Sequence, residues 1–214
     1  MSTTTLTRAR TGTAAKLGIA GIATFFTTSI AVAAVTPGYR STRDAISALA
    51  AMDSPYAYVM IGGFLAAAAG LVATGIAVRQ RYGARLAAVL LIVSGALMAT
   101  AGLARQDCSE ALESCIDHGE APLASTHFWV HQYVSLALFL TLVVTSFVLI
   151  RAVRRTPGFG YLTGPARIVA WTGLVVTVLA MTIGFGAVNG LVQRPYLALL
   201  FGWPTLLAAI APRR

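Results

Sequence analysis

Charge is what this sequence has least of. Only 11% of its 214 residues are Asp, Glu, Lys or Arg, against about 25% in a soluble domain. With 57% hydrophobic residues and a mean hydropathy of +0.76, the chain has too little polar surface to stay in water. That excludes a soluble enzyme and a disordered tail. Cysteine is scarce as well, and the pair Cys108 and Cys115 is too few for a disulfide-dense secreted scaffold. Acids number seven, and Lys16 is the single lysine. The net charge of +9 would suit nucleic acid, but the basic residues sit in short clusters between apolar runs rather than along one face. No nucleic-acid partner is therefore expected. The class that remains is a multi-pass membrane protein, with the lipid bilayer as its first partner.

Six apolar runs of about 16 to 23 residues are present, against the roughly 20 needed to cross a bilayer. They cover 17–35, 56–78, 86–104, 128–150, 168–188 and 196–211, and none contains a charged residue. Each charge at a helix centre costs about 2.5–3.5 kcal/mol on insertion, so six clean runs predict an all-α, six-span bundle. The first run follows a basic segment, and Ala31-Val32-Ala33 resembles a cleavage site. The run is too long for a signal peptide, and we read it as a retained helix. One domain over 17–211 results, with tails at 1–16 and 212–214. Pro55 and Pro195 are expected at the first helical positions of the second and sixth spans. Ser125 or Thr126 is expected to cap the fourth. Gly62, Ala66 and Gly70 form a small-residue stripe on the second span, and Pro204 predicts a kink in the sixth.

Arginine sets the orientation. Arg8, Arg10, Lys16, Arg79, Arg81, Arg85, Arg151, Arg154, Arg155, Arg167, Arg213 and Arg214 fall on one side of this topology. By the positive-inside rule both termini are cytoplasmic, in a plasma membrane. All seven acids and the three histidines, His118, His127 and His131, fall on the other side. Acid–base or metal chemistry would have to occur there.

The first outer loop carries Ser41 and Asp44 in a capping-box pattern, then Ile46, Leu49 and Met52 at helical spacing. This predicts a short amphipathic helix on the outer face, with Arg43, Asp44 and Ser47 on its polar side. The simplest role for it is a plug on the bundle, and the alternative is a ligand lid. In the second outer loop Cys108 and Cys115 are read as a disulfide rather than half of a zinc site. His127 and His131, four apart on one helical face with Ser135 a turn deeper, have the spacing of two metal ligands. Asp44, Asp53 or Asp107 would complete such a site, and a transition metal such as zinc would activate water there. The interleaved Phe128, Trp129 and Tyr133 give the competing reading, an ordinary interfacial belt with no cofactor. Bis-histidine haem is disfavoured because both histidines lie on one helix. Asn189, Gln193 and Arg194, with Arg43, form a polar cluster suited to a ligand or lipid headgroup. For Arg194 the commoner outcome would be a pair with an outer-loop carboxylate.

Two segments carry a resemblance. Pro37-Gly38-Tyr39 followed by Asp44-Ala45-Ile46-Ser47-Ala48-Leu49-Ala50, and Gly190-Leu191-Val192-Gln193-Arg194, resemble an uncharacterised bacterial membrane family, domain of unknown function 998, common in actinobacteria. The arginine and alanine bias fits that source. The resemblance implies a six-span bundle, supplies no activity, and implies that Asp44, Ser47 and Arg194 meet beside His127.

Three functions follow from the sequence. The first is a non-enzymatic accessory, lipid-binding or complex-stabilising protein with a polar extracytoplasmic site, able to partner other membrane proteins. The second is an outer-face hydrolase of an amphipathic substrate, using Asp44, Ser47 or His127 for catalysis, with or without a metal on His127 and His131. The third is a transporter of a small neutral or lipidic molecule. Whether the protein is an enzyme stays open at this level.

Overall fold

The computed structural model describes residues 3–109 and 125–210, with side chains from residue 12 onward. Six α-helices account for most of it: α1 (Thr3–Val35), α2 (Ala57–Tyr82), α3 (Arg85–Leu103), α4 (Thr126–Arg154), α5 (Thr163–Thr182) and α6 (Asn189–Ile210). Among the described residues there is no β-strand. Five candidate membrane spans lie at Gly12–Val35, Ala57–Tyr82, Arg85–Leu103, Thr126–Arg154 and Gly160–Thr182. Helix α6 falls outside that group, because its first six residues include Asn189, Gln193 and Arg194.

Consecutive helices run antiparallel and pack on one another from α1 to α5, and α6 returns to touch α1, α2, α4 and α5. One end of the bundle carries Arg79, Arg81, Arg85, Arg151, Arg154, Arg155 and Arg167, and is termed the arginine-rich end. The other carries Asp44, Asp53 and Asp107, and is termed the acidic end. Apolar side chains such as Leu17, Ile30, Val89, Ile168 and Val175 face outward, as a bilayer-facing surface requires.

Small residues let the helices close in. A Cβ on Gly21 would lie 2.4 Å from the Ala66 carbonyl oxygen and 2.7 Å from Gly70 Cα, so α1 and α2 meet backbone to backbone. The predicted stripe on α2 is thus correct at Ala66 and Gly70 but not at Gly62, which has nothing within 4 Å. Buried hydroxyls add polar links between helices. Thr74 Oγ1 lies 3.2 Å from Thr205 Oγ1, and Thr177 Oγ1 lies 2.7 Å from the Tyr196 hydroxyl. At the arginine-rich end, Arg81 and Tyr82 of α2 donate to Ala209 O and Leu207 O of α6. They satisfy terminal carbonyls that would otherwise lack donors.

Several boundaries differ from the sequence reading. The fifth helix stops at Thr182 instead of Val188, because Gly184 and Gly186 take φ of 63° and 46°, the left-handed region that ends a helix. The sixth begins at Asn189, seven residues before the predicted start, which puts Pro195 inside the helix together with Pro204. Helix α2 begins at Ala57, two residues past Pro55. Ser125 does cap α4, accepting from Phe128 N at 3.3 Å. The expected amphipathic helix is replaced by a turn at 41–44 and a 3₁₀ helix, Ile46–Ala50, in which Ile46, Ala48, Leu49 and Ala50 are buried. Its apolar face has met the bundle, leaving no exposed amphipathic cylinder.

Candidate functional site

The acidic end is built around one arginine. Arg194 Nη1 donates to the carbonyls of Ser41, Asp44 (3.2 Å) and Gly190 (2.9 Å), and Nη2 donates to the Tyr39 hydroxyl at 2.5 Å. That hydroxyl donates onward to the carbonyls of Asp44 and Ala45. Burial pushes the Tyr39 phenol above its usual range, while the adjoining Arg194 guanidinium pulls it the other way. The Asp44 carboxylate, 3% exposed as a residue, accepts from Arg40 N at 2.5 Å and from Arg43 Nε at 2.6 Å. The first-turn N–H groups of α6 are used as well. Gly190 N donates to Arg43 O and Leu191 N to Thr42 O, at 3.0 and 2.7 Å. Arg194 therefore binds carbonyls and a phenol, where the sequence suggested a carboxylate or a headgroup. A planar guanidinium suits this role because its donors fan out in one plane.

Below this clasp lies a cavity of about 220 Å³. Ser47 of the 3₁₀ turn, Gln106, Gln132 and Ser135 of α4, and Asn189 and Gln193 of α6 supply its polar wall. Phe25, Phe64, Phe139, Phe201, Met98 and Leu197 supply the apolar wall, with the Phe25 ring edge-on to Phe64 and Phe201. Gln193 also fixes the turn above, since its Oε1 accepts from Ile46 N at 2.8 Å. Among the described residues no Asp, Glu, His, Lys or Arg lines the cavity. A second, apolar crevice of about 90 Å³ between α4, α5 and α6 shares Phe139, Asn189 and Gln193 with it. The cavity is smaller than the roughly 300–1,000 Å³ of a typical ligand pocket, so it suits a headgroup and not a whole lipid.

The histidines part company. His131 is buried, and its Nδ1 lies 2.8 Å from both Ala101 O and Ala104 O. It caps the last carbonyls of α3, as a side-chain donor near a helix C-terminus can. His127 is exposed in a shallow groove with Thr100, Leu103, Ala104 and Val130. Among the described residues no three His, Cys, Asp or Glu side chains cluster closely enough to hold a metal. Replacing His131 with alanine is expected to destabilise the protein by about 1–3 kcal/mol, because two buried carbonyls lose their donor. His127→Ala is expected to stay within about 0.5 kcal/mol. Thermal unfolding of the two variants in detergent micelles checks this, and equal losses would contradict the capping role.

Asp53 and Asp107 also serve the backbone. Asp107 accepts from Ser125 N at 2.8 Å and from the Ser125 hydroxyl, and Asp53 accepts from Ser109 N at 2.8 Å. Arg105 reaches the carbonyls of Ala50 and Ala51 and lies over the Tyr58 ring. Of the predicted catalytic group, only Ser47 faces the cavity. Asp44 joins Arg194 through its backbone carbonyl, and His127 lies in the separate groove. Cys115, the predicted partner of Cys108, and His118 lie outside the described residues. The amides of Gln106 and Gln132 were missed by sequence reasoning. Their position beside Arg105 and His131, at the ends of apolar runs, is the signal that could have found them.

Five apolar helices of spanning length in an all-helical bundle define a multi-pass membrane protein. More narrowly, the chain belongs to the family described as protein of unknown function DUF998, whose model matches residues 19–210. The chain matches no curated protein and no solved structure.

Proposed function

We propose that this protein is a non-enzymatic integral membrane protein that binds the uncharged polar head of an amphiphile at its acidic end. The observation that carries the reading is the cavity wall, which among the described residues has six hydrogen-bonding side chains and no ionisable one. Amides and hydroxyls both donate and accept, so they match hydroxyl, ester or sugar groups. A charged head would enter without a counter-charge and forfeit its hydration. The adjoining apolar crevice offers the tail a way out toward lipid between α4 and α5. A hydrolase finds less support, because among the described residues the wall that holds Ser47 and Ser135 supplies no imidazole or carboxylate to activate them.

The proposal includes a six-span topology in which α6 crosses the bilayer and both termini are cytoplasmic. The clustering of arginine at one end and acids at the other supports it. It places the cavity on the extracytoplasmic side of a plasma membrane.

The test is mass spectrometry of lipid retained by gently solubilised protein, wild type beside Gln132→Leu and Ser135→Leu. A neutral amphiphile held near one per chain, and reduced at least about tenfold in both variants, is the expected result, since each loses a hydrogen-bonding partner or gains bulk in the cavity. Retention of the same lipid by all three, or of none by the wild type, sinks the reading. Unchanged melting of the variants guards against misfolding, because neither side chain takes part in the clasp.

A further inference from the structure

The opposite end of the bundle holds a second, independent feature. Helices α2 and α3 are joined by the short link 83–84, and a groove of about 630 Å³ runs between their linked ends. Its floor is closed where Gly75 meets α3, since a Cβ there would lie 2.8 Å from Ala88 O. Ile76, Val89 and Ile92 form apolar flanks that are 41%, 56% and 41% exposed. At its mouth stand Arg79 from α2 and Arg85 from α3, with Gln80 beside them. Neither arginine makes a side-chain hydrogen bond or ion pair with the described residues. Arg81, two residues beyond Arg79 and so on another face of α2, is by contrast buried and bonded to Ala209 O. No acid occurs anywhere from 54 to 106, and the first turn of α3 has none.

We infer that this groove is a binding site for one anionic phospholipid, with its phosphate between Arg79 and Arg85 and an acyl chain along Ile76, Val89 and Ile92. Charge and shape both point to that occupant. Two guanidinium forks from different helices can each pair with phosphate oxygens, and the apolar flanks continue from them along helices that face the bilayer. A free phosphate would use the arginines but leave the apolar groove empty. A zwitterionic lipid would bring its own cation to a doubly cationic mouth. The site lies at the far end of the bundle from the polar cavity and stands whether or not that cavity binds an amphiphile.

The experiment uses the full chain in mixed micelles of phosphatidylglycerol and phosphatidylcholine, with bound lipid counted by native mass spectrometry. Wild-type protein should retain one phosphatidylglycerol in preference to phosphatidylcholine. Arg79→Gln/Arg85→Gln should weaken that retention about 10- to 30-fold, the effect of two lost surface arginines. Arg154→Gln/Arg155→Gln, which removes equal charge from the same end, should change it less than about twofold. Val89→Trp, which fills the groove and keeps both arginines, should also displace the lipid, and it decides the matter should the arginine double variant fail to fold. Equal losses in the two double variants would show a diffuse charge effect and overturn the site. Complete competition by inorganic phosphate would replace the lipid with a simple anion, and no preference for phosphatidylglycerol would remove the anionic requirement.

Discussion

Gly190→Ala is expected to lower the stability of the folded protein by about 2–4 kcal/mol, or to prevent its recovery from the membrane. A Cβ at this position would lie 2.5 Å from the carbonyl oxygens of both Ser41 and Asp44, and 2.7 Å from Arg194 Nη1. Real carbon atoms do not approach backbone oxygens that closely. The segment 39–46 and the start of α6 would have to separate, stretching the bonds from Gly190 N to Arg43 O and from Leu191 N to Thr42 O. Gly202 provides the control, because it lies on the same helix with nothing within 4 Å of its added carbon. Thermal unfolding in micelles distinguishes the two substitutions. Equal melting temperatures for Gly190→Ala and Gly202→Ala would mean that the contact is not formed.

The second large effect is expected at Arg194. Removing its side chain in Arg194→Ala deprives the carbonyls of Ser41, Asp44 and Gly190 and the Tyr39 hydroxyl of one donor each. Hydrogen bonds from a charged donor contribute about 1.5–3 kcal/mol apiece. Part of this is offset here by water reaching the rim, so a net loss of about 2–4 kcal/mol is expected. Arg194→Lys should recover little of it. An ammonium is a compact point charge and cannot span the Ser41 carbonyl and the Tyr39 phenol from two nitrogens of one rigid fork. Full stability of the lysine variant would show that charge alone suffices. In the double variant Gly190→Ala/Arg194→Ala the losses should fall short of additive, because the two sites share the Ser41 and Asp44 carbonyls.

Apolar runs were legible because a helix that meets lipid cannot hide a charge, and the runs at 56–78, 86–104 and 128–150 end within a few residues of α2, α3 and α4. The run 168–188 misled for a related reason. Gly184 and Gly186 are apolar and keep the hydropathy high, yet their left-handed backbone ends α5 at Thr182. The start of α6 was obscured by the opposite effect. Asn189, Gln193 and Arg194 look like loop residues in a hydropathy profile, but Gln193 and Arg194 are spent on the backbone of 41–46. The same applies to Asp44, whose capping-box spacing was real as a pattern. The Arg40 N–H that its carboxylate accepts belongs to a turn rather than to a helix. The resemblance implied that the two segments meet at Asp44, Ser47 and Arg194, but not that Arg194 would hold the first segment by its backbone carbonyls. The pairing of His127 with His131 was sound as helical spacing. What spacing could not reveal is that α3 ends beside His131 and takes its imidazole.

The clasp also fixes an order of events. Arg194 enters the chain 153 residues after Ser41, and a ribosome adding about 5–20 residues per second needs about 8–30 s to bridge that interval. Until then the carbonyls of Ser41, Thr42 and Arg43 lack the donors that α6 gives them in the finished fold, while α2 to α5 are made in turn. The rim around 41–44 is thus completed only once α6 has followed α1 to α5 out of the ribosome. A chain cut before residue 189 would carry most of its apolar surface into the membrane and still present an unfinished rim to whatever quality control surveys it.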